Sequence, residues 1–335
     1  MVALAAACCL SVGCRREVAD PVATVRVSMT QPHMGVPWTI TVYAADHEAG
    51  AGAIAAGFAE VTRLERILSD YDPASELSRL SAAAPTPRAV PVGEDLWNVL
   101  VRGEEIRVLT DGAFDITVGP LTTLWRQSRR SGHLPRPDKL AAARTAVGPG
   151  GIILDRQAQA VSLIRPAMRL DPGGIGMGYT ADRVLEVLRQ HGITAAMVDA
   201  SGDIAVSAAP PGADGWRITV AGLPGDKGSG GGTVLLERAA VTTSGDAHQA
   251  VEIAGHRYSH IIDPRTGLGV TGPAAVTVIA PDATTADALA TAASVLGPDR
   301  GPDVVSRFPG CSARFIWHDG EARRNLATPG WPVRE

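Results

Sequence analysis

Between residues 260 and 297 the chain carries more chemistry than a connection between two elements needs. The stretch opens with His260-Ile261-Ile262-Asp263-Pro264-Arg265-Thr266-Gly267, an imidazole, a carboxylate, a guanidinium and a hydroxyl gathered around a Pro/Gly turn. It closes with Ala286-Asp287-Ala288-Leu289-Ala290-Thr291 and Leu296-Gly297, where Leu289, Ala292, Ala293 and Leu296 recur at helical spacing and predict an apolar helix. Asp287 and Thr291 lie four apart on another face, an oxygen pair able to hold a hard cation. Each group also has a plainer reading. Asp287 complements the dipole of a helix start, Thr291 bonds back to a carbonyl, and a His before Asp-Pro ties its own turn.

Of 335 residues, 45% are hydrophobic and 20% charged, enough for one large domain or two lobes sharing a core. The net charge of −4, with no Lys/Arg cluster beyond Arg15-Arg16 and Arg129-Arg130, gives no electrostatic footprint for nucleic acid. Residues 1–14 are small and apolar and end in Gly13-Cys14 ahead of Arg15-Arg16, which resembles a bacterial lipoprotein leader with Cys14 as the lipidated residue. Ser11 stands where such leaders usually have Leu, and no basic segment precedes the run, so a true start upstream of Met1 is expected. The run is too short to span a bilayer; its alternative is a buried N-terminal segment. Without the leader, Cys14 and Cys311 are the remaining thiols, and a lipidated Cys14 leaves no intramolecular disulfide. The expected organisation is a leader over 1–14, a polar tether over 15–22, one domain over 23–325 and a loose tail over 326–335, Pro-rich from 329.

Strands are expected at 23–29 and 38–44, the second alternating Trp38, Ile40 and Val42 with Thr. Ile54, Phe58, Val61, Leu64 and Leu68 predict a helix over 51–69, and a second is expected over 94–110. Residues 126–150 read as a mobile loop with a short helix, followed by strands at 151–154 and 160–164. A glycine-rich turn at 173–178 then leads into a helix with Val184, Val187, Leu188 and His191 inward. Further strands are expected at 196–199, 216–220 and 233–236 around a glycine-rich loop at 225–232, with 314–317 as the last. No internal repeat, transmembrane helix or heptad pattern is present.

Several segments resemble, in order, those of the ApbE family, the FAD:protein FMN transferases. These are Met34-Gly35, Leu68-Ser69-Asp70-Tyr71 with Ser75-Glu76-Leu77, Gly112-Ala113-Phe114-Asp115-Ile116-Thr117, Leu170-Asp171-Pro172-Gly173-Gly174-Ile175-Gly176-Met177-Gly178-Tyr179, Ser201-Gly202-Asp203-Ile204, Thr243-Ser244-Gly245, and the two halves of 260–297. The resemblance covers residues 24 to 320 and implies an α+β, T-fold-related, two-lobed architecture of antiparallel-rich sheets and packed helices, with FAD in the cleft. It implies FAD contacts from Met34, Tyr71, Ala113, Phe114, Asp115, Asp171, residue 177, Thr243, Ser244, Ile261 and Arg265. It also implies Mg²⁺ held by Asp287 and Thr291 with the backbone of Gly174 and Ala290. Two positions depart from the pattern: Ser81 replaces an Asn, expected to alter how the adenine side is handled, and Met177 replaces a Lys that contacts FAD. Arg169, Arg183 and Arg265 are candidates to supply the missing charge.

The implied reaction uses Mg²⁺ as a Lewis acid on the FAD pyrophosphate. His260, with an imidazole suited to taking a proton near neutral pH, is the candidate base for a Thr or Ser hydroxyl of an acceptor protein, AMP leaving. In the family the acceptor is often a membrane-bound electron-transfer subunit. The implied location is the outer face of the inner membrane or the periplasm, held by the lipid on Cys14 alone. Two other readings stay open: a Mg²⁺-dependent FAD pyrophosphatase with water as nucleophile, and a flavin-binding lipoprotein without turnover, motivated by Met177 and Ser81.

Overall fold

Trp38, Ile40, Val42 and Ala44 are all buried along one strand face, and this alternation seats the first helix on the sheet. The computed structural model describes residues 24–223, 231–245, 250–271, 274–320 and 322–332. The expected leader, Cys14 and tether lie outside the described residues, as do Ala23, most of the 225–232 loop and residues 333–335. In chain order the elements are β1 (Val25–His33), β2 (Val36–Ala44), α1 (His47–Leu68), α2 (Glu76–Ala82), β3 (Val90–Pro91), α3 (Glu94–Leu109), α4 (Gly119–Ser131), α5 (Pro137–Arg144), β4 (Ile152–Asp155), β5 (Ala160–Leu163), α6 (Gly176–Gln190), β6 (Ala195–Ala200), β7 (Asp203–Val206) and β8 (Trp216–Thr219). They continue with β9 (Thr233–Leu236), β10 (Ala239–Gly245), β11 (Val251–Ile253), β12 (His256–Asp263), β13 (Leu268–Thr271), β14 (Ala274–Ala280), α7 (Ala283–Val305), β15 (Ser312–Asp319) and β16 (Ala322–Ala327).

The main sheet has eight strands in the order β1-β2-β6-β7-β10-β14-β15-β16, antiparallel throughout. Helices α1, α6 and α7 cover one face, burying Ile54, Phe58, Val184, Leu188 and Ala286 against Trp38, Ile40, Val198 and Ala240. The β8–β9 hairpin covers the other face, with Trp216 and Ile218 on Val206, Val241 and Ile279. A second core joins α2, α3 and the β3-β5-β4 sheet to the far side of α7, which therefore belongs to both. The α+β, antiparallel expectation holds.

Differences from the sequence reading have local causes. Asp46 caps α1 by accepting from the Ala49 amide at 2.8 Å, so the helix starts at His47. His191 is the exposed C-cap of α6, not an inward residue, because the helix ends at Gln190 and the chain turns away at the cap. Residues 126–131 complete α4, and α5 follows Pro137 at its first turn; no long loop exists there. The strand at 314–317 is not the last. β15 pairs with an exposed β16, and beyond it the Ala313 amide donates to the buried Thr328 hydroxyl at 2.8 Å, so the chain stays packed past residue 326. Within α7, Gly297 at φ +68° ahead of Pro298 breaks the helical path.

Candidate active site

A cavity of about 590 Å³ lies where the two cores meet, within the range of small-ligand sites. Its wall takes in His260, Met34, Tyr71, Ala113, Phe114, Asp115, Asp171, Met177, Thr243, Ser244, Ile261, Gly174, Asp287 and Thr291. Residues that the sequence separates by more than two hundred positions thus share one concave surface.

His260 owes its place to an irregular strand. β12 pairs with β13 through Tyr258↔Thr271 and Ile262↔Gly269, so three residues of β12 face one of β13, and His260 is the middle of the three. A bulge of this kind turns a side chain out of the alternating pattern. Trp125 of α4, fully buried, donates from its indole Nε1 to the Ser259 carbonyl at 3.0 Å, and the Ser259 hydroxyl accepts from the Ile261 amide at 3.1 Å. Gly269 is required opposite: a Cβ there would stand 2.4 Å from the Ser259 carbonyl oxygen. The polar turn expected over 260–267 is therefore a bulged strand end through Asp263, followed by a tight turn in which the Gly267 amide donates to the Asp263 carbonyl at 2.7 Å.

Met34 and Gly35 form the β1–β2 turn with φ of +50° and +78°, the signs of a type I′ hairpin. A methionine at positive φ is strained, and here it directs its side chain to the cavity while its amide donates to Glu65 at 3.1 Å. Tyr71 stands at the mouth, 76% exposed. Asp115 is buried and accepts from both the amide and the hydroxyl of Thr117, at 2.8 and 2.6 Å, so it organises its own turn as well as lining the wall. Thr243 shares a 2.9 Å hydrogen bond with Thr277 across β10 and β14.

The floor is acidic and built by close approach. The Gly178 amide, in the first turn of α6, donates to Asp287 at 3.1 Å, and a Cβ on Gly178 would come 2.2 Å from the Ala283 carbonyl oxygen. A Cβ on Gly174 would stand 2.7 Å from Thr291 Oγ1, so the glycine lets its backbone lie against that hydroxyl. Asp287 is pushed well above the usual carboxylate range by burial and by the neighbouring charge of Asp203; burial also raises Asp203. Among the described residues no cluster of three or more His, Cys, Asp or Glu side chains forms. A cation here would draw on two carboxylates, the Thr291 hydroxyl and backbone carbonyls. That donor set is all oxygen and fits Mg²⁺ or Ca²⁺.

Two expected site residues stand off the wall. Arg265 forks onto Asp263 at 2.8 and 2.9 Å, serving its own turn, and Ala290 is fully buried in the core. Ser81 does not face a ligand: its buried hydroxyl accepts from the Leu170 amide at 3.0 Å and anchors the segment that carries Asp171. The candidate replacement charges also fail, since Arg169 and Arg183 are not on the wall and Arg183 faces Glu60 and Asp95 at 3.8 Å. Arg126 and Arg129 of α4, Asp70 and Asp203 line the cavity instead. Of these, Asp203 carried a sequence signal in the Ser201-Gly202-Asp203-Ile204 segment; the arginines fall in the stretch read as a mobile loop with a short helix.

The ApbE family model matches residues 34–315. A Klebsiella pneumoniae protein named FAD:protein FMN transferase is 32% identical over 98% of this chain and 95% of its own length, and the Escherichia coli K12 protein of that name is 29% identical over 98% and 95%. Among solved structures, the apo flavinyl transferase ApbE of Pseudomonas stutzeri superposes with a TM-score of 0.79 at 28% identity, covering 92% of this chain and 96% of that one. The Vibrio cholerae flavin transferase ApbE gives 0.80 at 27% identity, covering 92% and 99%. With the cavity's motifs inside the matched span and relatives aligned along nearly their whole length, the chain belongs to the ApbE family.

Proposed function

We propose that this protein is a transferase that moves FMN from FAD to an acceptor protein, at the cavity between its two cores. The observation that carries the reading is the convergence of His260, on its bulge, with the buried Asp287 and Asp203 and the half-buried Thr291 in one space large enough for much of a dinucleotide. The relatives named for this reaction align over the whole of that wall.

A divalent ion, Mg²⁺ by its preference for oxygen, would be held by Asp287, Thr291 and the Gly174 carbonyl with Asp203 alongside, and would supply Lewis-acid polarisation of a phosphoryl oxygen. The protein's own groups do the rest. His260 accepts the proton of a Thr or Ser hydroxyl as its oxygen attacks the FMN phosphorus; the bond to the AMP phosphate breaks, and AMP leaves with the electron pair. Met34 and Tyr71 offer a thioether and a ring for flavin contact at the mouth. The low exposure of Asp203 and Asp287 keeps bulk water from the floor. Export as a lipoprotein through Cys14 belongs to the same reading and is supported by the composition of residues 1–14; no helix among the described residues is long and apolar enough to cross a membrane.

The test is incubation with FAD and Mg²⁺, with and without a flavinylation-target peptide, following AMP and peptide-bound flavin. Peptide-dependent AMP and covalent flavin support the transferase. Free FMN without peptide would replace it with a pyrophosphatase, and bound FAD without AMP would leave a flavin carrier.

A further inference from the structure

Among the described residues, the arginines and lysines on the cavity wall are Arg126 and Arg129, one turn apart on α4. The α6 side of the wall, where a cation was expected at residue 177, presents the Met177 thioether. Among the described residues, an anionic ligand entering this space therefore meets a floor of carboxylates and finds its arginine partners on α4.

Arg126 is held ready for such a ligand. Its guanidinium carbon lies 4.2 Å from the centre of the Tyr71 ring, Nη1 donates to Asp70 at 2.5 Å, and Nη2 reaches Asp171 at 3.5 Å. The first contact is firm and fixes the fork. The second is at the limit of a hydrogen bond, so a phosphate oxygen can take it over without a strong bond being lost. A guanidinium has five N–H donors, and these two contacts leave most of them for a ligand. The side chain is 26% exposed, open enough to be reached and covered enough that its charge is not fully screened.

We propose that Arg126 is the specificity-determining cation of this site, selecting phosphate-bearing flavins over uncharged flavin. The proposal rests on the flavin-transfer reading and assigns to α4 a role that the glycine-rich turn before α6 leaves unfilled. Tyr71 and Asp70 are its positioning partners: the ring supports the guanidinium plane and the carboxylate sets its direction. Arginine suits this place because a planar fork can stack and bond two phosphate oxygens together, which a lysine cannot do.

The experiment measures binding of riboflavin, FMN and FAD to the full protein by flavin fluorescence, for wild type, Arg126→Gln, Arg126→Lys and Arg126→Gln with Met177→Lys. Arg126→Gln is expected to weaken FMN and FAD about tenfold or more and riboflavin less than about twofold. Arg126→Lys recovers part of the loss, and Met177→Lys in the Gln background restores FAD binding from the α6 part of the wall. Equal weakening of all three ligands would make Arg126 a structural residue, and unchanged FAD affinity would remove it from recognition; either overturns the proposal. If Arg126→Gln does not fold, Arg126→Lys decides, since a charge-keeping variant that binds FAD as wild type shows the fork is not used. A wild type that binds no flavin would sink the transferase reading itself, a result distinct from flavin binding that ignores Arg126.

Discussion

The indole Nε1 of Trp125 donates to the carbonyl of Ser259 at 3.0 Å, one residue before His260 at the centre of the β12 bulge. A buried tryptophan on one helix thereby fixes where the imidazole points. Trp125→Phe removes the donor, leaving a buried carbonyl unsatisfied at a cost of about 1–3 kcal/mol. Transfer is expected to slow about tenfold through kcat, with FAD affinity little changed, because misplacing a proton acceptor slows chemistry before it affects binding. Steady-state kinetics beside a melting curve check this; a lower melting temperature with full kcat would mean that the bulge does not depend on Trp125.

His260→Ala tests the proton acceptor itself. Loss of a positioned general base lowers turnover by about 10²–10⁴-fold. FAD binding should persist, since the acidic floor and α4 lie elsewhere on the wall. A transfer rate within a few-fold of wild type would move the base to another group.

Much of this site was legible because its pieces are local in the chain. The Asp171-to-Gly178 turn, the Ala113-Phe114-Asp115 turn and the Asp287/Thr291 pair each announce themselves within a dozen residues, and their order along the chain carried the family resemblance. What stayed hidden depends on contacts distant in sequence. Arg126 meets Asp70 across 56 positions and Asp171 across 45, and on a helical wheel it looks like any exposed arginine. Ser81, expected to alter how the adenine side is handled, holds the Leu170 amide 89 positions away. His191 and β16 were misread because the apolar period neither marks a helix C-cap nor identifies a fully exposed edge strand.

Gly174→Ala tests the close approach on the floor. The new Cβ would stand 2.7 Å from Thr291 Oγ1 and 3.1 Å from its methyl carbon, so the threonine must move. Overpacking of this kind costs about 1–3 kcal/mol. If the Gly174 backbone and Thr291 bind a cation together, the Mg²⁺ concentration needed for half-maximal transfer should rise about tenfold or more. A variant that is destabilised yet unchanged in its Mg²⁺ requirement would separate the glycine from metal binding.

Burial raises the carboxyls of Asp182, to about 6, and of Asp203 and Asp287. A carboxyl whose folded pKa exceeds its unfolded one binds its proton more tightly when folded. Its contribution to stability is therefore present below the unfolded value and is lost as pH rises through the folded one. For Asp182, raised from 3.8, the window runs from there to about 6 and the loss across it is about 3 kcal/mol. In chelator the protein should thus melt at a higher temperature at pH 5 than at pH 7.5. Mg²⁺ at pH 7.5 should recover stability, because a cation between Asp203 and Asp287 offsets their burial in place of protons. Asp287→Asn removes one buried charge while keeping an oxygen for the Gly178 amide, which now donates to Asp287 at 3.1 Å. In chelator at pH 7.5 this variant should melt above wild type, with a smaller pH dependence and no response to Mg²⁺. Melting curves at the two pH values, with and without Mg²⁺, decide it: a Mg²⁺ shift of wild-type size in Asp287→Asn would place the cation somewhere other than this floor.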